Sequence, residues 1–125
     1  MLPKNILVST DYDYKYDIFT ITKREKYNYN TSVELEPGLI LDFDDDGVPA
    51  SFEILDASKL FNIKNKQYLS NPKDVQMFIK ITEQMISIEV KVVVMVHQKE
   101  KVSVFDFLAV NDIKIPSLNL ELATA

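Results

Sequence analysis

Asp42, Asp44, Asp46, Gly47 and Glu53 stand at the spacing of a calcium-binding EF-hand loop, in which carboxylates at alternate positions and a distal bidentate Glu surround a hard cation. Helices enter and leave such loops, whereas both flanks here alternate apolar and polar residues as strands do. If Phe43 pairs with Val48 across the turn, Asp42 faces Pro49, and Glu53 lies four residues further on, roughly 13 Å away at about 3.3 Å per residue. Glu53 then cannot close a coordination shell. The motif is read as an acidic structural turn, with no metal ligands expected in it.

Other chemistry-bearing residues are sparse. His97 is the only histidine and falls at the end of a Val-rich stretch, where a surface role is expected rather than that of a general base. Asp11, Asp13 and Asp17 could share a proton as paired carboxylates do, but among nineteen acids such proximity arises without a purpose. Two glycines cannot build a phosphate-cradling loop, and no serine elbow or histidine pair is present. No catalytic residue and no cofactor are expected. Lys23-Arg24-Glu25-Lys26 is the densest basic run, and with a net charge of −5 it reads as a solvated turn, so no nucleic-acid partner is expected.

The elements that carry these residues follow from composition and period. A chain of 125 residues with 46% apolar content fits one globular domain, 1–125, able to bury a core without staples. It has no cysteine, which excludes disulfides and thiolate chemistry and makes the cytoplasm the expected home. The stretch Met1 to Val8 is too short and too soon polar for a signal peptide, and no run reaches the length of a membrane span, so no membrane partner is expected.

Tyr16 to Lys23 alternates as a strand. Val33 and Leu35 resume the alternation up to Pro37-Gly38, a pair suited to the centre of a type II turn. Leu39–Phe43 and Val48–Leu55 flank Asp44-Asp45-Asp46-Gly47 as a hairpin. Pairing Phe43 with Val48 puts Leu39, Leu41, Phe43, Val48, Ala50, Phe52 and Ile54 on one core face, whereas a one-residue slip would mix charged and apolar side chains. Pro49 has no amide to donate and implies an edge or an irregularity. Asp56 is expected to cap a short helix, and Asn71-Pro72 to open a second one, with Val75, Phe78, Ile79 and Thr82 at helical spacing.

Strands return around Ile86–His97, Val102–Val110 and Leu118–Ala123, with a three-stranded meander as the simplest arrangement. Pairing His97 with Val102 gathers Val90, Val92, Val94, Val96, Phe105, Phe107 and Ala109 on a core face. Val93, Met95, Val102, Val104 and Leu108 remain on a mixed opposite face, among Glu89, Lys91, His97 and Asp106. Either the second helix covers that face or a copy of the chain does, and a homo-oligomer is the expectation. The expected fold class is α+β: a mainly antiparallel sheet of meander hairpins with one or two short helices packed on it.

Asp11-Tyr12-Asp13 with Asp17-Ile18-Phe19-Thr20-Ile21, then the run from Val33 to Gly47, then Glu53-Ile54-Leu55-Asp56-Ala57-Ser58, closely resemble the domain of unknown function family 2283 over residues 11–61. The resemblance implies a small β-meander closed by a helix, with no established activity and no catalytic residues to carry over. Some members of that family are encoded beside toxin-like proteins, which implies a partner-binding or antitoxin-like role. Residues 72–125 form an extension beyond it, read as a helix plus a further meander. The functional expectation is a non-catalytic protein-interaction module. The alternative is a small hydrolase or metal-dependent enzyme, which would show a cleft holding titratable groups.

Overall fold

The computed structural model describes residues 4–125. Strands occupy 61% of it and helical turns 7%, so the α+β expectation is corrected: the protein is nearly all sheet. The strands are β1 (Lys4–Asp13), β2 (Ile18–Lys23), β3 (Tyr29–Glu36), β4 (Leu39–Asp44), β5 (Pro49–Leu55), β6 (Asp74–Ile81), β7 (Met85–Val96), β8 (Lys99–Val110) and β9 (Leu118–Ala123). Helical structure is confined to one turn, α1 (Ala57–Leu60), and a 3-10 turn over Lys66–Ser70. Met1–Pro3, part of the amino-terminal stretch read above, lie outside the described residues. Among the described residues no helix is long and apolar enough to cross a membrane.

The helix expected after Asn71-Pro72 is strand β6. Val75, Phe78 and Ile79 satisfy a helical period, but Val75, Met77, Ile79 and Ile81 satisfy a period of two equally well. These four are the buried ones, while Phe78 and Lys80 face solvent. β-branched residues at three of the four inward positions pack well on a pleated surface, and that tips the competition toward strand.

The strands form one sheet in the order β3-β4-β5-β2-β1-β9-β6-β7-β8. All neighbours are antiparallel except β1 and β9, which run parallel, with Lys4 beside Leu120 and Leu7 beside Ala123. The expected carboxy-terminal meander is thereby corrected, because β9 passes over β7 and β8 to pair with β6 and β1. The sheet curls into a half-barrel. From the segment between β5 and β6, Ala57, Phe61, Ile63 and Leu69 are buried in the core. Phe61 meets Phe19 of β2 edge-on at 6.0 Å and Phe105 of β8 at 6.2 Å, so strands far apart in the sheet share one aromatic plug. Each ring removed from water stabilises by roughly 1.5–3 kcal/mol.

Both hairpins differ from their expected registers by an even number of residues, and for that reason their faces survive. In β4–β5, Leu41 pairs with Phe52 and Leu39 with Ile54, and a bulge at Asp42/Phe43 brings Phe43 opposite Pro49. Leu39, Leu41, Phe43, Phe52 and Ile54 are all buried, in one cluster with Ala57 and Phe61. Pro49 sits at the irregularity its missing amide requires. In β7–β8, Val96 rather than His97 closes the pairing, opposite Lys99. His97 and Gln98 form the turn alone, at φ 50 and 66, the positive pair of a type I′ connection.

Candidate functional site

The β1–β2 connection holds the tightest polar cluster. Asp17 lies in the left-handed region at φ 56, a conformation Asp tolerates. Its carboxylate accepts from the Tyr12 hydroxyl at 2.5 Å, from the Ser58 amide at 3.0 Å and from the Ser58 hydroxyl at 2.6 Å. Its carbonyl accepts from the Ala57 amide. Asp17 therefore caps α1 from across the molecule. Asp56, expected to do so, is itself left-handed at φ 54 and makes no side-chain cap.

Burial alone would raise the Asp17 pKa, but the hydrogen bonds from Ser58 and Tyr12 and the nearby Lys66 charge hold it below the ordinary carboxylate value. Tyr12 is pushed up by burial, by its hydrogen bond to Asp17 and by that negative charge. A carboxylate so well satisfied is a poor base. Tyr12, Asp17 and Ser58 lock the connection to α1, and the carboxylate of Asp17 is engaged by these two residues.

The acidic turn is held in a similar way. Asp44 is buried, receives Lys23 at 2.7 Å, and accepts from the amides of Asp46 at 2.9 Å and Val48 at 3.0 Å. Burial pushes its pKa up, and the bonds from Lys23, Val48 and Asp46 bring it below the ordinary value. Gly47 closes the turn at φ 77. Asp42 accepts from the Ser32 hydroxyl at 2.6 Å, and Glu53 pairs in the sheet with Ile40 and Thr20.

The carboxylates that come within 4.8 Å of one another are those of Asp44, Asp45 and Asp46, so the five-residue calcium pattern is not assembled. A cleft of about 590 Å³ adjoins the turn, lined by Lys4, Lys23, Arg24 and Lys26 as well as the acids. The run Lys23 to Lys26 is thus more than a solvated turn, because Lys23 is the counter-ion of Asp44. His97 is exposed on its hairpin turn.

The two outer strands differ. β3 is interrupted by irregularities at Tyr29/Thr31 and Glu34/Glu36 and carries acids near its end. β8 pairs with β7 through twelve consecutive positions without a bulge. Its outward-facing side chains include Val102 (51% exposed), Val104 (49%), Leu108 (68%) and Val110 (64%). Among the described residues no strand lies beyond it.

No solved structure gives a significant match to the chain. An uncharacterized protein of Methanocaldococcus jannaschii is 33% identical over 93 residues, which cover 74% of this chain and 78% of that protein. A Methanosarcina mazei protein provisionally named a hypoxanthine phosphoribosyltransferase is 33% identical over 117 residues, 93% of this chain and 92% of its own length. The model of the protein family of unknown function DUF2283 matches residues 10–58. The chain belongs to the DUF2283 family.

The DUF2283 match begins on β1 and ends at Ser58, the residue whose amide and hydroxyl hold Asp17. Tyr12, Asp17 and Ser58 lie in three separate sequence motifs of the DUF2283 resemblance and meet in one hydrogen-bonded cluster. In this DUF2283 protein the motifs are a closure device. Strands β6–β9, with the open edge of β8, lie beyond the matched segment.

Proposed function

We propose that this DUF2283 protein is a non-catalytic protein-interaction module that works through the β8 edge. The observation that carries the reading is a long, regular, apolar outer strand with no strand beyond it among the described residues, the kind of edge that takes up a strand from another molecule. An antitoxin-like role is the narrower form of the reading, in which the bound protein is a toxin. A chain without cysteine suits the reducing cytoplasm, where the proposal places it.

The name of the Methanosarcina relative would bring phosphoribosyl transfer to this chain. Such chemistry gathers backbone amides around phosphate, commonly at a glycine-rich loop leading into a helix. Here Gly38 and Gly47 both form hairpin turns, and the buried acid beside the cleft is already bound by Lys23 and two amides. The geometry favours the interaction module.

The test is the size of the tagged protein in a lysate of its native cells. The wild type should migrate well above its 14.4 kDa chain mass, and Val104→Lys should return it to that mass while keeping the far-ultraviolet spectrum. Equal migration of the two proteins would overturn the reading.

A further inference from the structure

We propose that the strand received at the β8 edge is β8 of a second copy, added antiparallel about a two-fold axis at Phe105, so that one sheet runs through both molecules. The inference rests on the interaction reading above and names its partner.

The edge is equipped for such an addition. In a two-residue hairpin the residues flanking the turn form a hydrogen-bonded pair, and bonded and non-bonded pairs then alternate. With Val96 opposite Lys99, the odd-numbered residues of β8 direct their amides and carbonyls at β7. Those of Glu100, Val102, Val104, Asp106, Leu108 and Val110 point away from the sheet. The Lys73 amide reaching the Val93 carbonyl on the opposite side of β7 agrees with this phase.

A second copy, rather than a foreign strand, is favoured by charge: the acids Glu89 and Asp106 lie on one side of Phe105 and Lys91, beside Val104, on the other, so the edge complements itself under a two-fold rotation.

Charge selects the register. Directly opposed residues must share a face, so only even sums of residue numbers are allowed. Centring on Asp106 would set Asp106 against its copy, with Glu89 beside each, and centring on Ser103 would set Glu100 against Asp106. Centring on Val104 would lay Asp106 on Val102 and Glu100 on Leu108, with no cation in either row. Centring on Phe105 sets Asp106 beside Val104 and Glu100 beside Val110, and opposes Val102 to Leu108 twice. It also lines Lys91 and Val104 of one copy with Asp106 and Glu89 of the other, so that cation and acids share a row.

The experiment uses purified full-length protein and cysteine substitutions, which the cysteine-free sequence makes unambiguous. Light scattering at micromolar concentration should give twice the chain mass, and Leu108→Lys, at a site 68% exposed, should halve it with an unchanged melting temperature of the monomeric core. On mild oxidation the double variant Val102→Cys/Leu108→Cys should form a covalent dimer, while Val102→Cys alone and Val104→Cys alone should not. Efficient cross-linking of Val104→Cys alone would overturn the register. A monomer mass across concentrations would overturn the second copy as partner. In that case the interaction reading would still be judged separately, by whether Val104→Lys changes the size of the complex in native lysate.

Discussion

The hairpins β4–β5 and β7–β8 are built on opposite principles. The first is short, bulged at Pro49, tied at its turn by Asp44 and Lys23, and flanked on both sides by strands. The second runs twelve uninterrupted pairs into a two-residue turn and leaves one side open. Irregular backbone appears where side chains of the same molecule hold it. Regular backbone appears where a straight edge remains for another strand. The family-matched segment, residues 10–58, is closed upon itself, and the sheet beyond it is not.

The sharpest way to break this contrast is to hollow out the closed hairpin. Phe52→Ala removes a fully buried ring and should lower unfolding free energy by roughly 3–5 kcal/mol in urea titrations. A loss no larger than that of surface variants would show that β5 is not the wall the core is packed on.

Asp17→Ala comes next, with an expected loss of about 2–3 kcal/mol, because the Ser58 amide and the Tyr12 hydroxyl lose a charged acceptor. Asp56→Ala should cost less, about 1 kcal/mol, from placing Ala at φ 54 rather than from a lost cap. Reversal of that order in thermal melts would return the cap to Asp56.

Acid should act through the same segment. Asp17 and Asp44 both titrate below the ordinary value when folded, so the folded chain binds their protons more weakly than the unfolded chain does. The stability they contribute is therefore fully present above the unfolded carboxylate pKa of about 3.9 and is lost as pH falls through the folded values. Lys23→Met should cost about 1–2 kcal/mol at neutral pH and flatten this acid limb, as read from denaturant midpoints between pH 7 and pH 2.5. An acid limb as steep as that of the wild type would place the dependence elsewhere.

The smallest effect is expected on the open edge. Val104→Lys should change the stability of the isolated chain by less than about 0.5 kcal/mol, because its side chain is already half in water. A loss of several kcal/mol, measured at a dilution where only monomer remains, would mean that β8 is an internal wall.

Faces were more legible in the sequence than registers. Leu39, Leu41, Phe52 and Ile54 were readable because any even slip keeps a strand's inward set. The β7–β8 turn is not marked in the sequence, because His97-Gln98 lacks the Asn-Gly signature of a type I′ turn. Strand β6 is ambiguous, because Asn71-Pro72 imitates a helix start and its apolar residues fit both periods. In strand β1 the alternation of Ile6, Val8, Thr10 and Tyr12 is preceded by Lys4 and interleaved with Asn5, Ser9 and Asp11, so few apolar side chains mark it. The ion pair of Lys23 with Asp44 and the cap of α1 by Asp17 depend on which strands become neighbours, and no local pattern specifies that.

The parallel pairing of β1 with β9 has a consequence for how the molecule is made. Hairpins β4–β5, β6–β7 and β7–β8 can each close as soon as their own residues are available. The first half of β1 cannot, because residue 4 finds its neighbour in residue 120. Closing so long a loop carries a large entropic penalty before any contact rewards it, and proteins dominated by such pairings fold slowly. Synthesis from the amino end thus leaves Lys4–Leu7 waiting for β9 to emerge, and joining these two strands is the step that turns two separate sheets into one half-barrel.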